Sequence, residues 1–267
     1  MLKHRSFPLK RVTGFVRKTR VIAELELRKI RHDPTELLTR AIQPALWLLI
    51  FGQVFARTRA IPTGGLPYLD FMAPGILAQS VLFIAIFHGI AIIWERDLGL
   101  VHKLLASPSP RAALVLGKGI SAGTRALSQV AIVYGLALLL GVRINWNPVP
   151  LAGVLGVAIL GASCFSTLSL IIACVVKTRE RFMGIGQVLT MPLFFASNAI
   201  YPISLMPDWL KVISHLNPLT YEVDALRALM LTEGTSVFGI GPDMGILLIV
   251  TALLVIIGGW MYPRIAI

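Results

Sequence analysis

The sequence predicts an all-α polytopic membrane protein: a single transmembrane domain over residues 1–267 with six spanning helices, an amphipathic interfacial helix before the first, and an extracellular re-entrant helical hairpin between the fifth and sixth. Three observations predict it. Hydrophobic residues make up 56% of the chain against 14% charged ones, and the mean hydropathy is +0.78, a balance that leaves too few charges to cover the exterior of a water-soluble domain. Between short clusters of charge lie apolar stretches close to the roughly 20 residues with which a helix crosses about 30 Å of hydrocarbon. With both ends inside, 20 of the 25 Lys and Arg residues fall in cytoplasmic segments and 5 outside, the bias that orients membrane proteins. That bias accounts for the formal charge of +12 without the nucleic-acid partner a basic chain invites.

Residues 1–34 form a basic lead. On a helical wheel Val12, Phe15, Val16, Ala23, Leu27 and Ile30 gather on one side and Arg17, Arg20, Glu24, Arg28 and Arg31 on the other. Val21, Leu25 and Glu26 break the pattern, and Pro34 marks its end. A positive tail that only sets topology is one reading; a helix lying on the inner leaflet is the one the stripe favours. The first apolar run follows this long basic lead, not the short one of a cleavable signal peptide, so insertion is expected through the first span itself.

The spans are placed at 37–56, 68–94, 114–141, 151–176, 182–199 and 243–263. Leu151 to Val176 and Met244 to Pro263 contain no charge, and Phe71 to Trp94 carries only His88 as an ionisable group. The first span needs Arg40 to snorkel to the headgroups, and the third puts Lys118 and Arg125 at its cytoplasmic end. Phe182 to Pro207 is uncharged but interrupted by Pro192 and Pro202, which reads as one span followed by an irregular re-entry. Cys164 and Cys174 lie within the fourth span with no CxxC or His-rich companion, so they read as small core residues.

Two connectors stand out. After the second span, the charges of Glu95, Arg96 and Asp97 stop the helix, Leu98, Val101, Leu104 and Leu105 make a short apolar stripe, and Ser107-Pro108-Ser109-Pro110 ends it. Such a helix either packs on its own membrane domain or seeks a groove on a partner. Residues 198–219 remain apolar where a solvated loop would be polar. Pro202, Pro207 and Asn217-Pro218 punctuate them into two short helices that dip into the outer leaflet and must be satisfied by the bundle.

The chain has no GxxxxGK[ST] phosphate cradle, no HExxH, no GxSxG and no pair of acidic residues inside a predicted span. Ion-coupled carriers use ionisable groups within the membrane, and the predicted spans offer little beyond His88, which reads as a hydrogen-bonded packing histidine. Energy is therefore expected from a separate ATPase docking on the cytoplasmic face.

The chain also resembles, over nearly its full length, the membrane permeases of type 2 ABC exporters, of the daunorubicin-resistance-like and nodulation-factor-export-like branch. The residues that carry the resemblance are Met72-Ala73-Pro74-Gly75-Ile76, Glu95 through Gly99 to Leu104, Ser107, Pro108 and Arg111, Asn198 through Pro202 with Met206-Pro207-Asp208-Trp209, and Asn217 through Tyr221. The resemblance implies a homodimer, or a pair with a similar permease, bound to two ATP-binding subunits that hold the ATP and Mg. This chain then needs no cofactor or metal and has no catalytic residue. It also implies a bacterial inner membrane with both termini cytoplasmic, and lipid as the surrounding partner. By the same resemblance residues 15–31, with Phe15, Val16, Leu27 and Ile30, look like a gate helix, and Glu95 to Ser107 looks like the coupling helix seated in the ATPase groove. Asn198 to Leu219 looks like the re-entrant hairpin, and Arg179 and Glu180 like a second cytoplasmic contact. One departure is the cluster Glu95-Arg96-Asp97, where many relatives carry two glutamates.

The pathway is expected where the first, second and fifth spans face a symmetry mate. Gln43, Gln79, Ser80, Gln187 and Asn198 would be its polar groups and Trp47, Phe51, Phe194 and Phe195 its apolar surface, although each would serve equally well in helix packing or against lipid. The absence of an obvious fixed charge suggests an amphipathic cargo: a hydrophobic natural product or drug first, a glycan, lipo-oligosaccharide or lipid-linked polysaccharide second. A membrane scaffold and an intramembrane enzyme are the readings outside transport.

Overall fold

A computed structural model describes residues 34–59, 61–98, 111–176 and 178–262, and within them the chain is helical apart from turns and one antiparallel bridge between Ile144 and Leu231. The first helix, α1, covers 34–58: it begins as Pro34–Leu46, passes through a π-helical stretch at Trp47–Gly52 and ends as Gln53–Thr58. Then come α2 (Tyr68–Asp97), α3 (Arg111–Leu139), α4 (Pro148–Val175), α5 (Arg179–Phe195), a 3-10 turn (Ile203–Leu205), α6 (Asp208–Leu216), α7 (Pro218–Met230) and α8 (Ile240–Met261). Phe15, Val16, Leu27 and Ile30 of the expected gate helix, and Gly99, Leu104, Ser107 and Pro108 of the expected coupling helix, lie outside the described residues.

Four of these helices are long and apolar enough to cross a bilayer: α2, α3 over Gly117–Leu139, α4 and α8. α1 is broken by its π-helical stretch, and α5, at 17 residues, is shorter than a bilayer crossing ordinarily needs. Local chemistry sets the helix starts. Asn147 accepts a hydrogen bond from the Val149 amide at 3.2 Å with Pro148 at the first helical position, and Asn217 does the same for Leu219 at 3.0 Å ahead of Pro218. Thr178 caps α5 through the Arg181 amide.

α4 is the hub, with α2, α3, α7 and α8 all packed on it. α2 is buried almost without interruption from Tyr68 to Leu82, because α7 and the segment before the 3-10 turn close over its outer half. Close approach depends on glycine at two places. A Cβ on Gly75 would stand 2.7 Å from the Ala199 Cα, and one on Gly161, the midpoint of α4, would fall inside the carboxyl group of Glu222. The obstruction at Gly75 is backbone and cannot rotate away. Gly75→Val is accordingly expected to destabilise the protein by about 1–3 kcal/mol or more, read as a lowered melting temperature in detergent.

The sequence reading has two short helices over 198–219 and assigns no element between them and the last span. The structure instead runs an irregular turn, the 3-10 turn and α6, and then buries α7 from Leu219 to Arg227 against α2, α4 and α8. The polar residues Glu222, Asp224 and Arg227 interrupt the apolar pattern here and are nonetheless enclosed.

Candidate functional site

α2 finishes with Trp94-Glu95-Arg96-Asp97, and each charge there has a partner. The Lys118 ammonium of α3 pairs with Glu95. Arg96 pairs with one Asp97 oxygen at 3.2 Å, and Arg179 at the start of α5 donates to the other at 2.9 Å. The same Arg179 guanidinium carbon lies 3.5 Å from the Trp94 ring centroid. Glu180, the neighbouring residue of the expected second contact, is exposed. The charged end of α2 is thus fastened to α3 on one side and to α5 on the other.

Of the expected pathway residues, the structure brings Trp47, Phe51 and Phe194 together. Trp47 lies 4.6 Å from Phe51 and 5.4 Å from Phe194, ring centre to ring centre, so an aromatic cluster joins the π-helical stretch of α1 to the end of α5. Around it both helices present apolar side chains outward, among them Leu46, Ile50 and Val54 on α1 and Met183 and Val188 on α5, the last 75% exposed. Gln187 stands on that open face. Gln43 lies elsewhere, in a cavity of about 350 Å³ with Ser80, Phe83, His88, Arg125 and Gln129. Arg125 contacts His88 Nδ1 at 3.2 Å; arginine can only donate, so Nδ1 accepts and the ring hydrogen sits on Nε2. Gln79 is not with the others. It is enclosed within the bundle, and neither of its amide atoms has a hydrogen-bond partner among the described residues.

The segment between α5 and α7 is held by two asparagine side chains, one bonding to backbone and one to a buried carboxylate. Asn217 Nδ2 donates to the Leu193 carbonyl at 2.7 Å, and Asn198 Nδ2 donates to Asp224 at 3.4 Å. Pro202 precedes the 3-10 turn, Pro207 precedes α6, and Trp209 is exposed on α6. Asp208 pairs with Lys211 at 2.9 Å, and this hydrogen bond holds its carboxyl below the usual carboxylate range.

Sequence reasoning missed the polar cluster of α7. Arg227, 4% exposed, donates to the carbonyls of Phe71 at 3.4 Å and Asn198 at 2.7 Å, and its guanidinium carbon lies 3.9 Å from the Phe71 ring centroid. Asp224, fully buried, accepts from the Val237 and Phe238 amides at 2.7 and 3.1 Å and from Ser236 at 2.7 Å. Just outside, Arg143 joins Asp70 of α2 to Glu233, each at 3.0 Å, and its hydrogen bond to Asp70 raises its already high pKa. The Asn217-Pro218 cap signal and the i, i+3 spacing of Asp224 and Arg227 were the marks in the sequence that a helix runs here.

The sequence profile described as "ABC-2 type transporter" matches residues 17–231. A protein named as a candidate transport permease, ycf38, of Cyanophora paradoxa is 28% identical over 219 residues, covering 80% of this chain and 74% of the relative. The daunorubicin resistance ABC transporter permease protein DrrB1 of Streptomyces coeruleorubidus is 28% identical over 225 residues, 84% of this chain and 77% of the relative. Nodulation protein J of Sinorhizobium fredii is 27% identical over 191 residues, 71% of this chain and 69% of the relative.

Proposed function

The chain belongs to the ABC-2 type transporter family, and from that membership we propose that it is the membrane permease of an ATP-driven exporter, itself without catalytic residues. ATP and Mg bind a separate subunit, present in two copies, that docks on the turn after α2. A second copy of the chain, arranged as a homodimer, covers the apolar faces of α1 and α5. The observation that carries this reading is the extent of the family match: residues 17–231 take in the segments assigned to coupling and the outer hairpin and all but the first two residues of the one assigned to gating.

In the membrane, α1 and α5 complete a set of six spans with α2, α3, α4 and α8, both termini on the cytoplasmic side of a bacterial inner membrane. The stretch from 198 to α7 is the re-entrant element. Support for its depth comes from contacts along α4: Leu229 faces Gly153 near the outer end, whereas Glu222 faces Gly161 at the midpoint, so α7 runs from the middle of the domain outward. Alternating access follows. Closure of the ATP-binding subunits draws the two coupling turns together, and the pathway between the α1 and α5 faces opens outward. The aromatic cluster of Trp47, Phe51 and Phe194 suits an amphipathic or hydrophobic cargo. A relative named for daunorubicin resistance supports a drug or natural product, and one named for nodulation supports a lipo-oligosaccharide as second choice.

Co-expression with the cognate ATP-binding subunit tests the assignment. Replacing Gly99 or Leu104 with aspartate is expected to abolish co-purification of that subunit while membrane insertion is retained. Unchanged co-purification would remove the coupling turn from residues 95–107, and transport by the chain alone on an ion gradient would overturn the permease reading itself.

A further inference from the structure

Arg179 is the residue that joins the cytoplasmic turn to the pathway helix. Trp94 and Asp97 stand three residues apart on one face of α2, and Arg179 engages both. Its guanidinium stacks over the indole with 3.5 Å between Cζ and the ring centroid and donates to the carboxylate at 2.9 Å. The chain continues from Asp97 directly into the turn assigned to the ATPase. From Arg179 it continues into α5, which carries Gln187 and Phe194. Apart from the Trp47–Phe194 contact and the Asn217 bond to Leu193 at its far end, α5 packs chiefly on α2, through Phe182 against Gly89 and Gly186 against Ile86, and touches α4 only lightly.

We propose that Arg179 is a positioning residue that makes α5 move with the end of α2, so that displacement of the cytoplasmic turn reaches the pathway; this rests on the reading of residues 95–107 as the ATPase contact. Ion pairs and cation–π contacts at solvent-exposed helix ends contribute little to fold stability. Their geometric effect is larger, because planar stacking and a directed hydrogen bond together fix the first turn of α5 in direction and not only in distance.

The test uses the assembled complex with its ATP-binding subunit, in a background of Cys164→Ser and Cys174→Ser, with spin labels on cysteines introduced at the exposed positions Val188 on α5 and Leu253 on α8. In the otherwise unaltered complex, ATP is expected to change the distance between the labels. Arg179→Ala should lose that change, with co-purification of the ATP-binding subunit scored in the same preparation. Trp94→Ala should do the same, and the double variant should be no worse than either single one, because both remove one clamp. Arg179→Lys, which keeps the charge near Asp97 but not the planar stack, should retain part of the change. An ATP-dependent movement that survives in Arg179→Ala overturns the proposal. So does loss of the ATP-binding subunit on Arg179→Ala, which would make the residue a docking contact. Failure of the unsubstituted chain to bind any ATP-binding subunit would instead remove the permease reading, and is seen before any Arg179 variant is made.

Discussion

Arg227→Ala is expected to yield little protein that remains folded after detergent extraction, a loss of about 3–5 kcal/mol. The guanidinium serves backbone that has no other donor at hand. Asn198 lies in the irregular turn after α5, where its carbonyl is not used by a helix, and Arg227 reaches it at 2.7 Å. It also donates to the Phe71 carbonyl in α2 at 3.4 Å, which ties α7 to that helix. Its Nη1 stands 3.9 Å from Asp224, so truncation leaves a fully buried carboxylate without its nearest cation. Asp224 in turn holds the amides of Val237 and Phe238, so the damage spreads from α7 to the approach of α8. Arg227→Lys retains a charge but cannot span two carbonyls and a carboxylate, and is expected to melt between wild type and Arg227→Ala. A melting temperature for Arg227→Ala within a few degrees of wild type would show that the turn at Asn198 is held by something else.

What the sequence discloses, and what it withholds, follows from what hydropathy measures. The apolar runs behind α2, α4 and α8 are legible because lipid contact and protein burial select the same side chains. The π-helical stretch of α1 is not, since Trp47-Leu48-Leu49-Ile50-Phe51-Gly52 is apolar on every face and leaves no periodicity to distinguish one helical register from another. α7 is hidden by the opposite effect. Asp224 and Arg227 neutralise each other and bond to backbone inside the bundle, but a residue-by-residue scale scores them as if each faced water. For the candidate site, the charge cluster Glu95-Arg96-Asp97 is plain in the sequence, whereas its engagement by Arg179 joins residues 82 positions apart through tertiary packing alone. Likewise Trp47, Phe51 and Phe194 are legible as aromatic positions, but Gln79 and Gln187 look equivalent in the chain and end up enclosed and open respectively, because α2 is surrounded and α5 is not.

Glu222→Lys is expected to be as damaging as loss of Arg227, and Glu222→Gln nearly silent. The side chain is fully buried against Gly161, halfway along a helix long enough to cross the bilayer, and neither carboxyl oxygen has a hydrogen-bond partner among the described residues. The ionisable neighbour facing it from α4 is the Cys164 thiol, which is no counter-ion. An ionised carboxylate in that position would cost several kcal/mol with nothing among the described residues to offset it. Glutamine has the shape and the absence of charge of the neutral acid, and the change in stability should stay within about 1 kcal/mol. Lysine adds length where glycine was needed for clearance and an ammonium with no acceptor in reach, a cost upward of about 3 kcal/mol. Melting curves of the two variants in one detergent decide between the charged and the neutral form. If glutamine proves as destabilising as lysine, Glu222 is ionised and must be paired; if glutamine is tolerated, α7 carries no net charge at Gly161, and this depth of the domain stays apolar.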